Sequence, residues 1–106
     1  MGELISIEKL QTYYQQDKVF ATQHASERCR QRGIRARDIR KAVMTGIIIE
    51  QYPDDFPFPS CLICGETEGQ GIIHVVMSDE GTGSRIITAY FPDPERWDAD
   101  LKIRKE

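Results

Sequence analysis

The hydrophobic period of this chain changes once, at Gly46, and that change limits the fold more than any other feature. Upstream, apolar residues recur at helical spacing: Leu4, Ile7, Leu10 and Tyr14, with Ile5 broadening the stripe, and later Ile39, Ala42 and Val43. Downstream, short β-branched and aromatic runs are bounded by Gly and Pro, and the period is that of strands. Residues 46–52, 60–65, 71–78 and 84–91 read as strands. Pro53-Asp-Asp-Phe-Pro57-Phe-Pro59 cannot continue a ladder, because proline lacks the N–H. Glu66–Gln70 and Asp79–Gly83 are rich in turn residues and read as hairpin connections. The expected fold class is therefore α+β, with N-terminal helices packed on one face of a four-stranded antiparallel meander.

At 106 residues the chain has room for one modest core. It is read as a single domain over 1–106, with an N-terminal helix over 4–16, a core over 18–98 and a short C-terminal tail over 99–106. Lys18-Val-Phe-Ala-Thr22 reads as a brief strand or an extended lead-in to the next helix. That helix, about residues 23–32, is closed by Gly33, and a second one runs from Ala36 to Thr45 before Gly46. Residues 95–106, with Trp97 and Leu101 four apart, read as a short helix or a frayed tail.

Charge is distributed unevenly. Residues 18–41 hold eight Lys/Arg against Glu27 and Asp38, a local balance of +6 in a chain of net charge −3, which leaves −9 elsewhere. A basic block on an acidic chain points to a local anionic partner, nucleic acid or an acidic protein segment. Within the block, His24, Arg28 and Arg32 are spaced by four and share one helix face. A titratable ring at the head of two guanidinium groups suits a phosphate-bearing ligand; a merely solvated arginine face is the plain alternative.

The three cysteines, an odd number, fit reduced thiols in a cytoplasmic protein. No leader or membrane span is expected. Cys61 and Cys64 have knuckle spacing, but on a strand residues three apart point to opposite faces, so no metal site is expected there. His74 lies within Ile72-Ile-His-Val-Val76 and shares a face with Ile72 and Val76. A histidine so flanked is ordinarily a satisfied core residue. If His74 and Tyr90 point to the side of the helix row, two polar groups join the arginines. That set suits RNA cleavage without a metal, which needs one group to take the 2′-OH proton, another to protonate the 5′-oxygen, and cations for the phosphorane. No cofactor motif is present.

The segments His24-Ala25-x-x-Arg28-x-x-x-Arg32-Gly33-Ile34, Gly46-x-x-Ile49-Glu50-x-Tyr52-Pro53, Pro59-Ser60-Cys61-Leu62, His74-Val75-Val76, Ile87-Thr88-Ala89-Tyr90, Pro92-Asp93 and Trp97 resemble a bacterial domain-of-unknown-function family. That family is grouped with the RelE/ParE-like toxin superfamily, and the resemblance covers about residues 18–98. It implies a small α+β toxin of a type II toxin–antitoxin system. Relatives in the superfamily cleave mRNA, on or off the ribosome, or inhibit gyrase. The implied partner is a helix-turn-helix antitoxin, in this family one bearing a small zinc finger. Carried over to this chain, the resemblance leaves His24, Arg28, Arg32, His74 and Tyr90 as the candidate catalytic residues. After the last strand it offers only Arg96, Lys102, Arg104 and Lys105. The alternative expectation is a non-enzymatic module that binds nucleic acid or protein through the basic helix 24–32.

Overall fold

A computed structural model describes residues 4–105 of the chain. Ser6 opens helix α1 (Ile7–Gln15) by accepting from the Lys9 N–H at 3.2 Å, a one-sided cap. Leu10 and Tyr13 of α1 are buried. The chain then enters a three-residue strand β1 (Val19–Ala21), and Thr22 caps helix α2 (Gln23–Gln31) through the Ala25 N–H at 2.9 Å. Gly33, at φ 71°, ends α2 in the left-handed region. Ile34 N–H reaches the Cys29 carbonyl at 2.8 Å and Gly33 N–H the Arg30 carbonyl at 3.2 Å, the bond pair of a Schellman cap.

Helix α3 (Ala36–Thr45) begins at Arg35, whose N–H donates to the buried Asp38 carboxylate at 2.9 Å. Asp38 thus supplies the cap that arginine itself cannot. Strands β2 (Ile47–Tyr52), β3 (Ser60–Glu66), β4 (Ile72–Ser78) and β5 (Ser84–Tyr90) follow as a meander.

The expected four-stranded antiparallel sheet is in fact five-stranded and mixed, in the order β1-β5-β4-β3-β2. The addition is β1, which runs parallel to β5 and pairs Val19, Phe20 and Ala21 with Ser84, Arg85 and Ile86. Because β1 is short, the outer edge of β5 beyond Ile86 has no strand partner among the described residues. The tail over 95–106 is not a helix in its described part. It is a series of turns closed by a bridge between Trp97 and Arg104.

Alternation divides the sheet into two faces. Cys61, Ile63, Ile73, Val75, Met77, Ile86 and Ala89 face the three helices and form the main core with Leu10, Ala25, Ile39, Ala42 and Val43. Helix α3 lies directly on β3, because a Cβ at Gly65 would stand 2.3 Å from the Ala42 carbonyl. Leu62, Cys64, His74 and Trp97 are also buried, but they belong to the second face.

Candidate functional site

Helix α2 packs through its small residues. Ala25 and Cys29 turn inward over β5, which leaves the flanking row exposed. His24 and Arg28 project into solvent from this row. Arg32 turns instead to the unpaired stretch of β5, where its Nη1 donates to the Ala89 carbonyl at 2.8 Å and to Thr88 Oγ1 at 3.3 Å. It thereby covers a bare strand edge. Among the described residues no carboxylate pairs with Arg28, Arg30, Arg37 or Arg40, so this surface carries unanswered positive charge. On its other side, α2 meets α3 across a cleft of about 550 Å³, floored by Cys29, Ile34, Ile39 and Ile86 and rimmed by Arg30 and Arg35.

The second face of the sheet holds a different set of groups. Register places Cys64, His74 and Tyr90 in one cross-strand row, and Glu50, Leu62, Val76 and Thr88 in the next. His74 is fully buried. Its Nε2 lies 2.6 Å from the Leu101 carbonyl, which can only accept, so Nε2 carries the proton. Nδ1 is then bare and faces the Tyr90 hydroxyl at 3.4 Å. The rings of Tyr90 and Trp97 both stand edge-on to the imidazole. Glu50 accepts from the Tyr52 hydroxyl and forms a two-pronged pair with Arg104, at 2.8 Å from Nε and 3.2 Å from Nη2. The Arg104 guanidinium also lies over the Trp97 ring, 4.6 Å from its centre.

Electrostatics in this cluster follow from its depth. Burial pushes the Glu50 carboxyl upward, but hydrogen bonds from Arg104 and Tyr52 outweigh it and hold the group below the ordinary carboxylate range. Burial and the hydrogen bond to Glu50 push the Tyr52 hydroxyl up to about 12. His74 is lowered, with burial the main cause, and Tyr90 is raised, again chiefly by burial. At neutral pH the cluster therefore presents an ionised carboxylate, a neutral imidazole of fixed tautomer and a protonated phenol.

The five residues anticipated from sequence fall into two groups. His24, Arg28 and Arg32 are together on α2; His74 and Tyr90 are together on the second face. The arrangement in which His74 and Tyr90 join the helix row is not formed, because β4 alternation aims Ile73 and Val75 at the helices and His74 away. Arg32 alone touches both regions, through Thr88, which shares a face with Tyr90 two residues on. Strand alternation likewise separates the cysteines: Cys61 enters the main core, while the Cys64 thiol faces the Leu101 carbonyl at 3.9 Å.

Glu50, Tyr52, Trp97 and Arg104 were not among the anticipated residues. The spacing Glu50-x-Tyr52 did carry a signal, since residues two apart on a strand share a face. Arg104 gave none, because nothing periodic fixes where the tail folds.

No curated protein and no solved structure matches the chain. The profile of one family matches residues 21–91, well over half of the chain and a span that includes Glu50, His74 and Tyr90. The chain belongs to that family, the domain of unknown function DUF4258.

Proposed function

We propose that the protein is a metal-independent endoribonuclease of the RelE/ParE-like toxin type, with its proton-transfer groups on the second face of the sheet. The reading rests above all on one observation: β2, β4 and β5 bring Glu50, His74 and Tyr90 into two adjacent cross-strand rows. Glu50, ionised, takes the proton of the ribose 2′-OH as that oxygen attacks phosphorus. His74 gives its Nε2 proton to the departing 5′-oxygen as its Nδ1 takes the Tyr90 hydroxyl proton, which inverts the tautomer. After the products leave, the proton gained by Glu50 returns through solvent to the Tyr90 oxygen, and the imidazole proton moves back to Nε2. The products are a 2′,3′-cyclic phosphate and a free 5′-hydroxyl. Arg28 and Arg32, beside the open edge of β5, grip the neighbouring phosphates, with His24 alongside. A cytoplasmic antitoxin of the helix-turn-helix, zinc-finger kind is the proposed partner.

The test is cleavage of a single-stranded RNA oligonucleotide in the presence of EDTA, with analysis of the new ends. Wild type should leave cyclic phosphate, and Glu50→Gln and His74→Gln should each slow the reaction by roughly 10²–10⁴-fold. Unchanged rates in both variants would sink the proposal. Induced expression in a bacterial host should arrest growth, and the same variants should relieve the arrest.

A second reading is favoured by one specific feature, the exposed arginines of α2 and α3 that have no carboxylate partner among the described residues. On that reading, helix 24–32 docks on an anionic partner and no cleavage occurs in any variant.

A further inference from the structure

Residues 96–105 fold back over the second face as a self-contained strap. The Asp98 N–H bonds the Ile103 carbonyl at 2.8 Å, Lys105 N–H bonds the Arg96 carbonyl at 2.9 Å, and Leu101 N–H bonds the Asp98 carbonyl at 2.9 Å. The Asp98 carboxylate gathers the turn by accepting from the N–H groups of Asp100 and Lys102, both at 3.2 Å, and Ile103 at 3.4 Å. Every one of these bonds lies within the strap. They survive if it moves as one piece.

Its hold on the sheet is narrow by comparison. Only Trp97 is buried, while Ile103 is 67% exposed. The polar ties run to three residues: the Leu101 carbonyl to His74 and Cys64, and Arg104 to Glu50. Leu101 stands at φ 61°, a region that side-chain-bearing residues rarely adopt, and in that conformation delivers its carbonyl to His74. A segment with few buried apolar contacts and its own internal bonding belongs to the part of a fold that opens first.

We propose that residues 96–105 are a lid over Glu50, His74 and Tyr90 that opens as a unit, so that the closed form is the resting state of the site. What the lid controls rests on the ribonuclease reading; that it opens does not. In the closed form Leu101 occupies the Nε2 proton of His74, and Arg104 occupies both oxygens of Glu50. The groups proposed to move protons are therefore each spent on the strap. Opening frees both together.

The experiment uses the full chain. Asp98→Ala slackens the turn that presents the Leu101 carbonyl to His74, and so weakens the strap's hold on the sheet, whereas Asp98→Asn preserves the three acceptor bonds of that turn. Trp97 is the chain's one tryptophan, so its emission reports the lid directly. Asp98→Ala should shift that emission to longer wavelength, raise its quenching by acrylamide, and speed carbethoxylation of His74 by diethyl pyrocarbonate, mapped by mass against the exposed His24. Cleavage of a single-stranded RNA oligonucleotide should rise severalfold, and Asp98→Asn should match wild type throughout. If Trp97 and His74 stay protected in Asp98→Ala, the lid is refuted. It is equally refuted if they become exposed while cleavage falls, for the strap then completes the site. Exposure of both residues with no cleavage by any variant supports the lid and defeats the ribonuclease reading instead.

Discussion

At His74, burial and hydrogen bonding pull in opposite directions. Burial favours the neutral ring and dominates, with Arg104 adding to it, while the Leu101 carbonyl and Glu50 oppose it. The folded protein therefore binds this proton less readily than the unfolded chain does. The stabilising contribution is complete above about pH 6.5, the unfolded value, and is lost as pH falls through the lower folded value. Thermal melts at about pH 8 and pH 5.5 should show a drop for wild type that is smaller in His74→Gln. Equal drops would mean that His74 is not the group that titrates. Alternation in the sequence already fixed which residues share a face with His74. It could not say which face the helices cover, since Ile72 and Val76 on one side are as apolar as Ile73 and Val75 on the other. Glu50 stayed hidden for a related reason. A carboxylate near the end of a strand reads as solvated, and the Tyr52 hydroxyl two residues on together with Arg104 from the tail make it part of a cluster.

Elements were legible where local chemistry defines both ends. Helix α3 runs over the expected Ala36–Thr45, because its apolar stripe is continuous and Gly46 stops it. The partners of β1 were not legible. Three residues carry almost no period, and their register with β5 comes from a contact far away in sequence. The tail reads as a short helix or a frayed end, because Trp97 and Leu101 at a spacing of four fit a helix, whereas Asp98 collects the N–H groups into a turn. The close approach of α3 to β3 gives a prediction of its own. An added Cβ at Gly65 would meet the Ala42 carbonyl at 2.3 Å and the Ala42 Cα at 2.6 Å, both backbone and unable to turn aside. Gly65→Ala must lift α3 from the sheet and should cost about 1–3 kcal/mol in urea unfolding. Gly69→Ala is a useful contrast, because that site is sterically open and strained only by its φ of 88°. Its cost should be confined to the backbone, about 1–2 kcal/mol, and leave the core undisturbed.

Across the whole molecule the charge of residues 18–41 opposes that of the remainder, so a polyanion is drawn toward that stretch of the chain. On the proposed ribonuclease reading, that asymmetry would orient a strand of RNA before any specific contact forms. It also predicts a modest salt dependence, set by the few phosphates that reach α2 rather than by the total charge. Arg28 is the informative position. It is exposed, it pairs with no carboxylate among the described residues, and it lies one helical turn from Arg32 at the open edge of β5. If Arg28 neutralises one phosphate, Arg28→Ala should make the plot of log affinity against log salt shallower by about 0.7, the value for a single strand. Arg85 is the matched control, because its guanidinium is already tied to Glu80 at 3.1 Å and releases no counterion on binding. Arg85→Ala should leave the slope unchanged. Equal slopes for wild type, Arg28→Ala and Arg85→Ala would mean that Arg28 meets no phosphate and is a solvated side chain.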